Sequence, residues 1–282
     1  MLSRRYIHYY MASLLAAFMM LTGCDHIAED ERLIYEPIEQ ETPPDTNPDD
    51  DKPELPRRVV LLEDFTGQRC TNCPTATIVI EQLQEAYGDA LVAVGIHGGP
   101  LAFAGTAKVP GLKTETGDTY YSHWNLEYQP VGLVDRHGAV NYPDWAAEVR
   151  RETAKPAPLW LEGSATADNG TVTITVSARG ADATVTGKLQ AWLIEDGITA
   201  LQLMPDGSAN QQYTHNHVFR TAVNGIWGEN ITVRNAETEQ RTLTLPLQPE
   251  WKAENLSVVC FVYNDDGVQQ AAKFKVETPS PL

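Results

Sequence analysis

Cys70 and Cys73 are the residues of this chain whose type and spacing most clearly permit chemistry. They stand in Arg69-Cys70-Thr71-Asn72-Cys73-Pro74, with an almost unbroken apolar run from Arg57 to Phe65 before them. After them, apolar residues recur at Ala76, Val79, Ile80, Leu83, Ala86 and Tyr87, the spacing of one helix face. Pro74 suits a first helical turn, where its missing N–H is no loss, and Gly88 is a natural stop. The run before the cysteines reads as a strand covered on both faces, and Leu91 to Ile96 as a second buried strand completing a βαβ unit. A cysteine at a helix N-terminus meets unpaired N–H groups and the positive end of the helix dipole, which can lower a thiol pKa from about 8.5 to about 3.5–7.5. Arg69 adds a neighbouring cation. Cys70 is therefore the candidate attacking thiolate, and Cys73 the thiol that would resolve a mixed disulfide. A structural zinc site needs four ligands, and this segment offers no second Cys-x-x-Cys or spaced His pair, so no metal and no cofactor is expected. A stable structural disulfide is the competing reading, because the motif alone sets no potential.

The remaining composition narrows the setting. With 38 acids, 21 bases and a formal charge of −17, the chain repels nucleic acid. It is 42% hydrophobic and 21% charged, a globular composition, and four cysteines are too few for a disulfide scaffold. Arg4 and Arg5 precede an apolar run from Met11 to Leu21 that is too short to span a bilayer but suits the core of an export signal. Leu21-Thr22-Gly23-Cys24 follows and resembles the bacterial lipoprotein signal, which implies cleavage of residues 1–23 and acylation of Cys24. Glu36 to Pro56 holds six prolines and eight acids, so residues 24–56 read as an acidic tether with too little apolar surface to fold. The expected partner is a membrane, reached through the lipid on Cys24.

The segment 57–156 resembles the thioredoxin-like superfamily. That resemblance implies a buried acid six residues before the first cysteine, the position of Asp64, and a cis-proline facing the sulfurs, the position of Pro130 in Gln129-Pro130-Val131-Gly132-Leu133-Val134. Asp64 would assist proton transfer, and Pro130 would hold a substrate chain beside the sulfurs. Arg69 replaces the usual aromatic and Thr71-Asn72 the usual Gly-Pro. His97 could approach the cysteines, although a histidine ending a strand is commonly structural. A turn is expected at His137-Gly138, then a short strand from Ala139 to Tyr142 and a helix from Asp144 to about Thr153.

From residue 157 to 282 the pattern becomes short strands between turns. Thr171 to Val176 and Thr242 to Leu245 alternate polar and apolar, and Leu189–Ile194, Val218–Val223, Leu256–Tyr263 and Ala271–Val276 are further strand candidates. The expected fold class is thus an α/β thioredoxin-like domain followed by an all-β immunoglobulin-like sandwich. Cys260 is expected to pack as a small hydrophobe. His215 and His217 would share one face if Tyr213-Thr214-His215-Asn216-His217 were a strand, but no third metal ligand accompanies them.

Lipoprotein signal, acidic tether, Phe65-Thr66-Gly67 ahead of Cys-x-x-Cys-Pro, and Tyr213 to Arg220 in a β-rich second half resemble the twenty-eight-kilodalton outer membrane protein family of Bacteroides-group lipoproteins. The resemblance implies a lipid-anchored outer-membrane protein, exposed at the cell surface and meeting other envelope or surface proteins. Two functions stand open: thiol-disulfide exchange or redox-linked binding, and a non-catalytic surface antigen, adhesin or binding module in which Cys70–Cys73 is a structural disulfide.

Overall fold

A computed structural model describes residues 55–278. The expected signal peptide, Cys24 and nearly all of the tether lie outside these residues. The Cys-x-x-Cys segment is flanked as its periodicity predicts. Strand β1 (Val60–Thr66) leads through the cysteine turn into helix α1 (Cys73–Tyr87), which ends on Gly88 at φ +54°. Strand β2 (Leu91–His97) then pairs parallel with β1. Helix α2 (Glu115–His123) follows, its first turn capped by the Thr114 hydroxyl, which accepts from the Gly117 N–H. Strand β3 (Val131–Val134) pairs antiparallel with β1 and with the two-residue β4 (Ala139–Val140), and helix α3 spans Trp145–Thr153. The β3–β4 turn is centred on Asp135 and Arg136, at φ +47° and +65°, one pair earlier than His137-Gly138. Positive φ at both central residues is the geometry that matches hairpin twist.

Ten strands follow, more than the pattern of the second half suggested. They are β5 (Leu159–Asp168), β6 (Thr171–Gly180), β7 (Val185–Glu195), β8 (Ile198–Leu203), β9 (Ala209–His215), β10 (Val218–Ala222), β11 (Glu229–Val233), β12 (Thr238–Pro246), β13 (Leu256–Asn264) and β14 (Gly267–Glu277).

The expected α/β domain followed by a separate immunoglobulin-like sandwich is not what forms. One twelve-stranded mixed sheet runs β12-β6-β5-β14-β13-β7-β10-β2-β1-β3-β4, with β11 also on β7. The junction is β10. It pairs antiparallel with β7 and meets β2 in parallel at Val218 and Gly95, where the Gly95 N–H donates to the His217 carbonyl at 2.9 Å. The physical reason is burial. An edge strand rich in Val and Ile needs a neighbour, and β10 supplies one. Leu61, Phe65, Val94 and Leu133 from the first half share one core with Trp192, Phe219, Val259 and Phe261 from the second. Only β8 and β9 stand apart, as a two-stranded hairpin.

Strand β1 sorts the chemistry by alternation. All seven of its residues are buried, as expected for a strand covered on both faces. Leu61 and Phe65 face the shared core, and Val60 and Leu62 face α1 and α3. Because successive side chains point to opposite faces, Glu63 goes with Leu61 and Phe65, and Asp64 goes with Val60 and Leu62 toward the cysteine helix.

Candidate functional site

Cys70 and Cys73 form a disulfide. Helix α1 begins at Cys73, with Pro74 in its first turn, and Cys70 sits in the preceding turn, its N–H bonded to the Gly67 carbonyl at 3.0 Å. Arg69 points elsewhere: its guanidinium lies over the Phe103 ring at 4.7 Å.

The sulfurs are covered. Cys70 is 1% exposed and Cys73 2%. The cover is the β8–β9 hairpin, clamped onto the cysteine turn by two buried glutamines. Gln202 donates its amide to the carbonyls of Cys70 at 2.8 Å and Gly67 at 3.3 Å. Gln68 donates to the carbonyls of Leu201 at 3.0 Å and Pro110 at 3.1 Å, and its oxygen accepts from the Leu112 N–H at 2.8 Å. The Leu203 N–H closes the clamp on the Gln68 carbonyl at 2.9 Å. Gly67 is packed so closely that an added Cβ would lie 2.4 Å from the Leu101 carbonyl oxygen.

Sequence reasoning missed both glutamines. Gln202 alternates with Leu201 and Leu203, which would ordinarily place the leucines inward, yet Ala200 and Gln202 are the buried face of β8. The amide is inside because the cysteine turn presents carbonyls that must be satisfied.

The Gln129–Pro130 peptide bond is cis. Gln129 ties this region together, donating to the carbonyls of Thr66 at 2.5 Å and Gly98 at 2.9 Å and accepting from the Leu101 N–H at 3.0 Å.

Beneath the hairpin, Asp64, Cys73, His97 and His215 line a cavity of about 30 Å³, the volume of a single water molecule and too small for a substrate. Asp64 is buried and its Oδ1 has no hydrogen-bond partner among the described residues. Burial pushes its carboxyl up to about 7. Burial, with His215 next to it, holds the His97 ring down at about 3. His215 is held at about 4, again by burial. The two rings meet edge to face with centroids 5.5 Å apart. His217 does not share a strand face with His215. It lies beyond β9 at φ +50°, with Nδ1 3.3 Å from Asp196. Among the described residues, no three His, Cys, Asp or Glu side chains are grouped to hold a metal ion. Cys260 is a free buried thiol on β13, raised to about 12 by burial.

Chemically, then, the disulfide sits above a proton-accepting carboxyl but offers no approach to an incoming thiolate while the hairpin is seated.

The second group of buried charges lies on the opposite face of β1. Arg136 donates Nε and Nη2 to the Glu63 carboxylate at 3.1 and 3.0 Å, both side chains being buried. The guanidinium also lies over the rings of Tyr263 at 4.4 Å and Phe261 at 4.7 Å.

The sequence model of the outer membrane protein Omp28 family matches residues 117–280, more than half of the chain. The chain belongs to the Omp28 family. It is an outer membrane protein accordingly. The match starts beyond Cys70 and Cys73, so this Omp28-family chain carries its disulfide outside the region the family model describes, and that model lends no support to a thioredoxin-like domain. Among solved structures, HBP35 of Porphyromonas gingivalis is similar at a TM-score of 0.63 and 14% identity, covering 80% of this chain and 77% of its own, a likeness of fold. A domain of the outer membrane lipoprotein Omp28 from Porphyromonas gingivalis shares 26% identity over 44% of this chain and 92% of its own, at a TM-score of 0.33. No curated protein matches the chain. Among the described residues, no helix is long and apolar enough to cross a membrane.

Proposed function

We propose that this chain is a lipid-anchored binding module of the outer membrane in which Cys70–Cys73 is a structural disulfide. The observation that carries the reading is the burial of both sulfurs under the β8–β9 hairpin, whose Gln202 amide is bonded to the Cys70 carbonyl itself. Exchange needs a thiolate in line with the disulfide, and access is among the quantities that set its rate. The two cysteines close a very short loop, so the bond is worth about 2 kcal/mol by the chain-entropy relation.

Two assays decide the point. The full chain is expected to show no disulfide reductase or isomerase activity on a test protein. The Cys70→Ser/Cys73→Ser pair should unfold with a loss of about 2 kcal/mol in urea titration. Accumulation of mixed disulfides through Cys70 in a folded Cys73→Ser variant would overturn the reading and restore exchange.

The anchor in this proposal is Cys24 after removal of residues 1–23, with residues 24–56 as the acidic tether, the organisation supported by the charged start, the apolar run and the small residues before the cysteine. Cys24→Ser is expected to move the protein from the membrane pellet to the soluble fraction on cell fractionation. Retention of the variant in the pellet at the level of the unaltered chain would refute lipid anchoring.

A further inference from the structure

The β8–β9 hairpin is lightly held. It stands outside the twelve-stranded sheet, and β9 is mostly polar and exposed. Its seat consists of the Gln68 and Gln202 amides, the Leu203 N–H, and a small apolar group of Leu112, Ala200 and Val218 with Ile198 against them. The clusters that close the sheet are far larger. Segments with few buried apolar contacts open locally, ahead of the fold as a whole. Both stems of the hairpin leave the sheet at left-handed residues, Gly197 at φ +72° and His217 at φ +50°. They are tied to each other there: the Asn216 side-chain oxygen accepts from the Gly197 N–H at 2.9 Å, and Asp196 Oδ1 accepts from the His217 N–H at 2.6 Å. The hairpin thus keeps a pivot when its seat is lost.

Under it lie two buried bases with no counter-charge. His97 is 3% exposed and His215 6%, and the groups that favour their charged forms are backbone, of Gly95 at His97 and of Leu201 and Ala200 at His215. Facing the rings are Asp64 from β1, Tyr213 from β9, whose ring lies 4.8 Å from that of His215, and Arg220 from β10, a like charge that opposes a proton on His97. Cys73 from α1 is in the disulfide, and His217 is paired with Asp196. Burial first, and the like charges second, hold His97 well below the ordinary histidine range, and burial does the same for His215 and keeps the Asp64 carboxyl neutral below about 7.

Lifting the hairpin returns all three groups to water. Between pH 5.5 and 4.5 the two histidines then take up two protons and Asp64 gives up one, so opening gains about one proton and is favoured by acid about tenfold per pH unit. We propose that the β8–β9 hairpin is an acid-released cover: protons entering on His97 and His215 lift it from the cysteine turn about Gly197 and His217 while the twelve-stranded sheet stays folded. Release uncovers the Gln68 side chain and the carbonyls of Gly67 and Cys70. It does not restore exchange, because ordinary thiols with a pKa of about 8.5 carry almost no thiolate in acid. The proposal concerns access to the module, and it fails separately from the structural-disulfide reading because its test keeps the disulfide oxidised throughout.

The test is hydrogen exchange of the full chain in zwitterionic detergent, followed by mass spectrometry at pH 5.5, 5.0 and 4.5 and corrected for the intrinsic amide rate. Protection of residues 198–215 should fall about tenfold per pH unit. Low urea should speed exchange of β13 and leave the hairpin rate little changed, the mark of a local opening. In His97→Asn/His215→Asn only the Asp64 proton remains, so hairpin protection should rise about tenfold per pH unit of acidification. In Asp64→Asn only the two histidine protons remain, and the fall should steepen toward about a hundredfold; this variant decides the outcome if the histidine variant does not fold. The proposal is overturned if the hairpin exchanges only together with β13, if its corrected protection is the same at all three pH values, or if the folded variants keep the slope of the unaltered chain.

Discussion

Glu63→Leu is expected to destabilise the protein by about 3–5 kcal/mol, because it leaves the Arg136 guanidinium buried with no counter-charge. Glu63 is fully buried on the core face of β1, and its two oxygens take Nε and Nη2 of Arg136 in parallel. The guanidinium cannot escape to water by a rotamer change, since the rings of Tyr263, Phe261, Trp192 and Trp124 surround it. For a chain of this size the loss corresponds to a fall in Tm of roughly 6–20 °C. A double replacement, Glu63→Leu with Arg136→Met, should recover most of it, because a buried ion pair exchanged for apolar groups of similar volume is commonly neutral. Urea denaturation of the two variants checks both statements. A single variant within about 1 kcal/mol of the unaltered chain would mean that the pair does not pin β1 to the β3–β4 turn.

The second large effect is a reversal of pH dependence at the covered site. His97 and His215 are held at about 3 and about 4 when folded, against about 6.5 when unfolded. A depressed folded value means that the unfolded chain binds the proton first, so these histidines remove stability as pH falls from about 6.5 toward 4. Asp64 works in the opposite sense. Its folded value of about 7 lies above the unfolded value of 3.8, so its contribution is fully present below 3.8 and is lost as pH rises through 7. Between pH 4.5 and 6, two protons are taken up on unfolding by the histidines and one is released by Asp64. The His97→Asn/His215→Asn variant should therefore differ from the unaltered chain by a slope of about two protons, roughly 3 kcal/mol per pH unit, with other titrating groups cancelling in the difference. In that variant the local contribution changes sign, and acidification stabilises. Stability profiles from chemical denaturation at several pH values measure the slope. Parallel profiles would show that the rings are not buried as bases under the hairpin.

Both predictions concern positions that a linear reading only partly exposes. Strand β1, helix α1 and strand β2 were readable because each carries its own signal: an unbroken apolar run, a 3.6-residue spacing after Pro74, and a stop at Gly88. Six of the later strands were visible through alternation or apolar runs. The ten-residue β5 and the shorter β8, β9 and β11 were not. Strand β9 is mostly polar, with Gln211, Gln212 and Tyr213 giving no inward face to count. A resemblance named Asp64 and its burial, but not the missing partner of its Oδ1, because what a buried carboxyl meets depends on what is laid over it. Arg136 carried no signal of its own, since the turn was expected one pair later, at His137-Gly138. Its place among four aromatic rings is assembled from α2, β7 and β13, which lie far apart along the chain.

By itself the sequence determined the local elements, the adjacency of two cysteines at a helix start, the acidic and apolar composition of the amino-terminal segment, and a resemblance to an outer-membrane family that the family match bears out. Such features depend on residues within one or two turns of each other, and periodicity records them. Only the tertiary structure decided that the two halves share one sheet through β10 and that a hairpin from the second half seals the disulfide of the first. Strand pairing at long separation is selected by which edges and faces remain uncovered once the local elements exist, and that competition is a property of the whole folded chain.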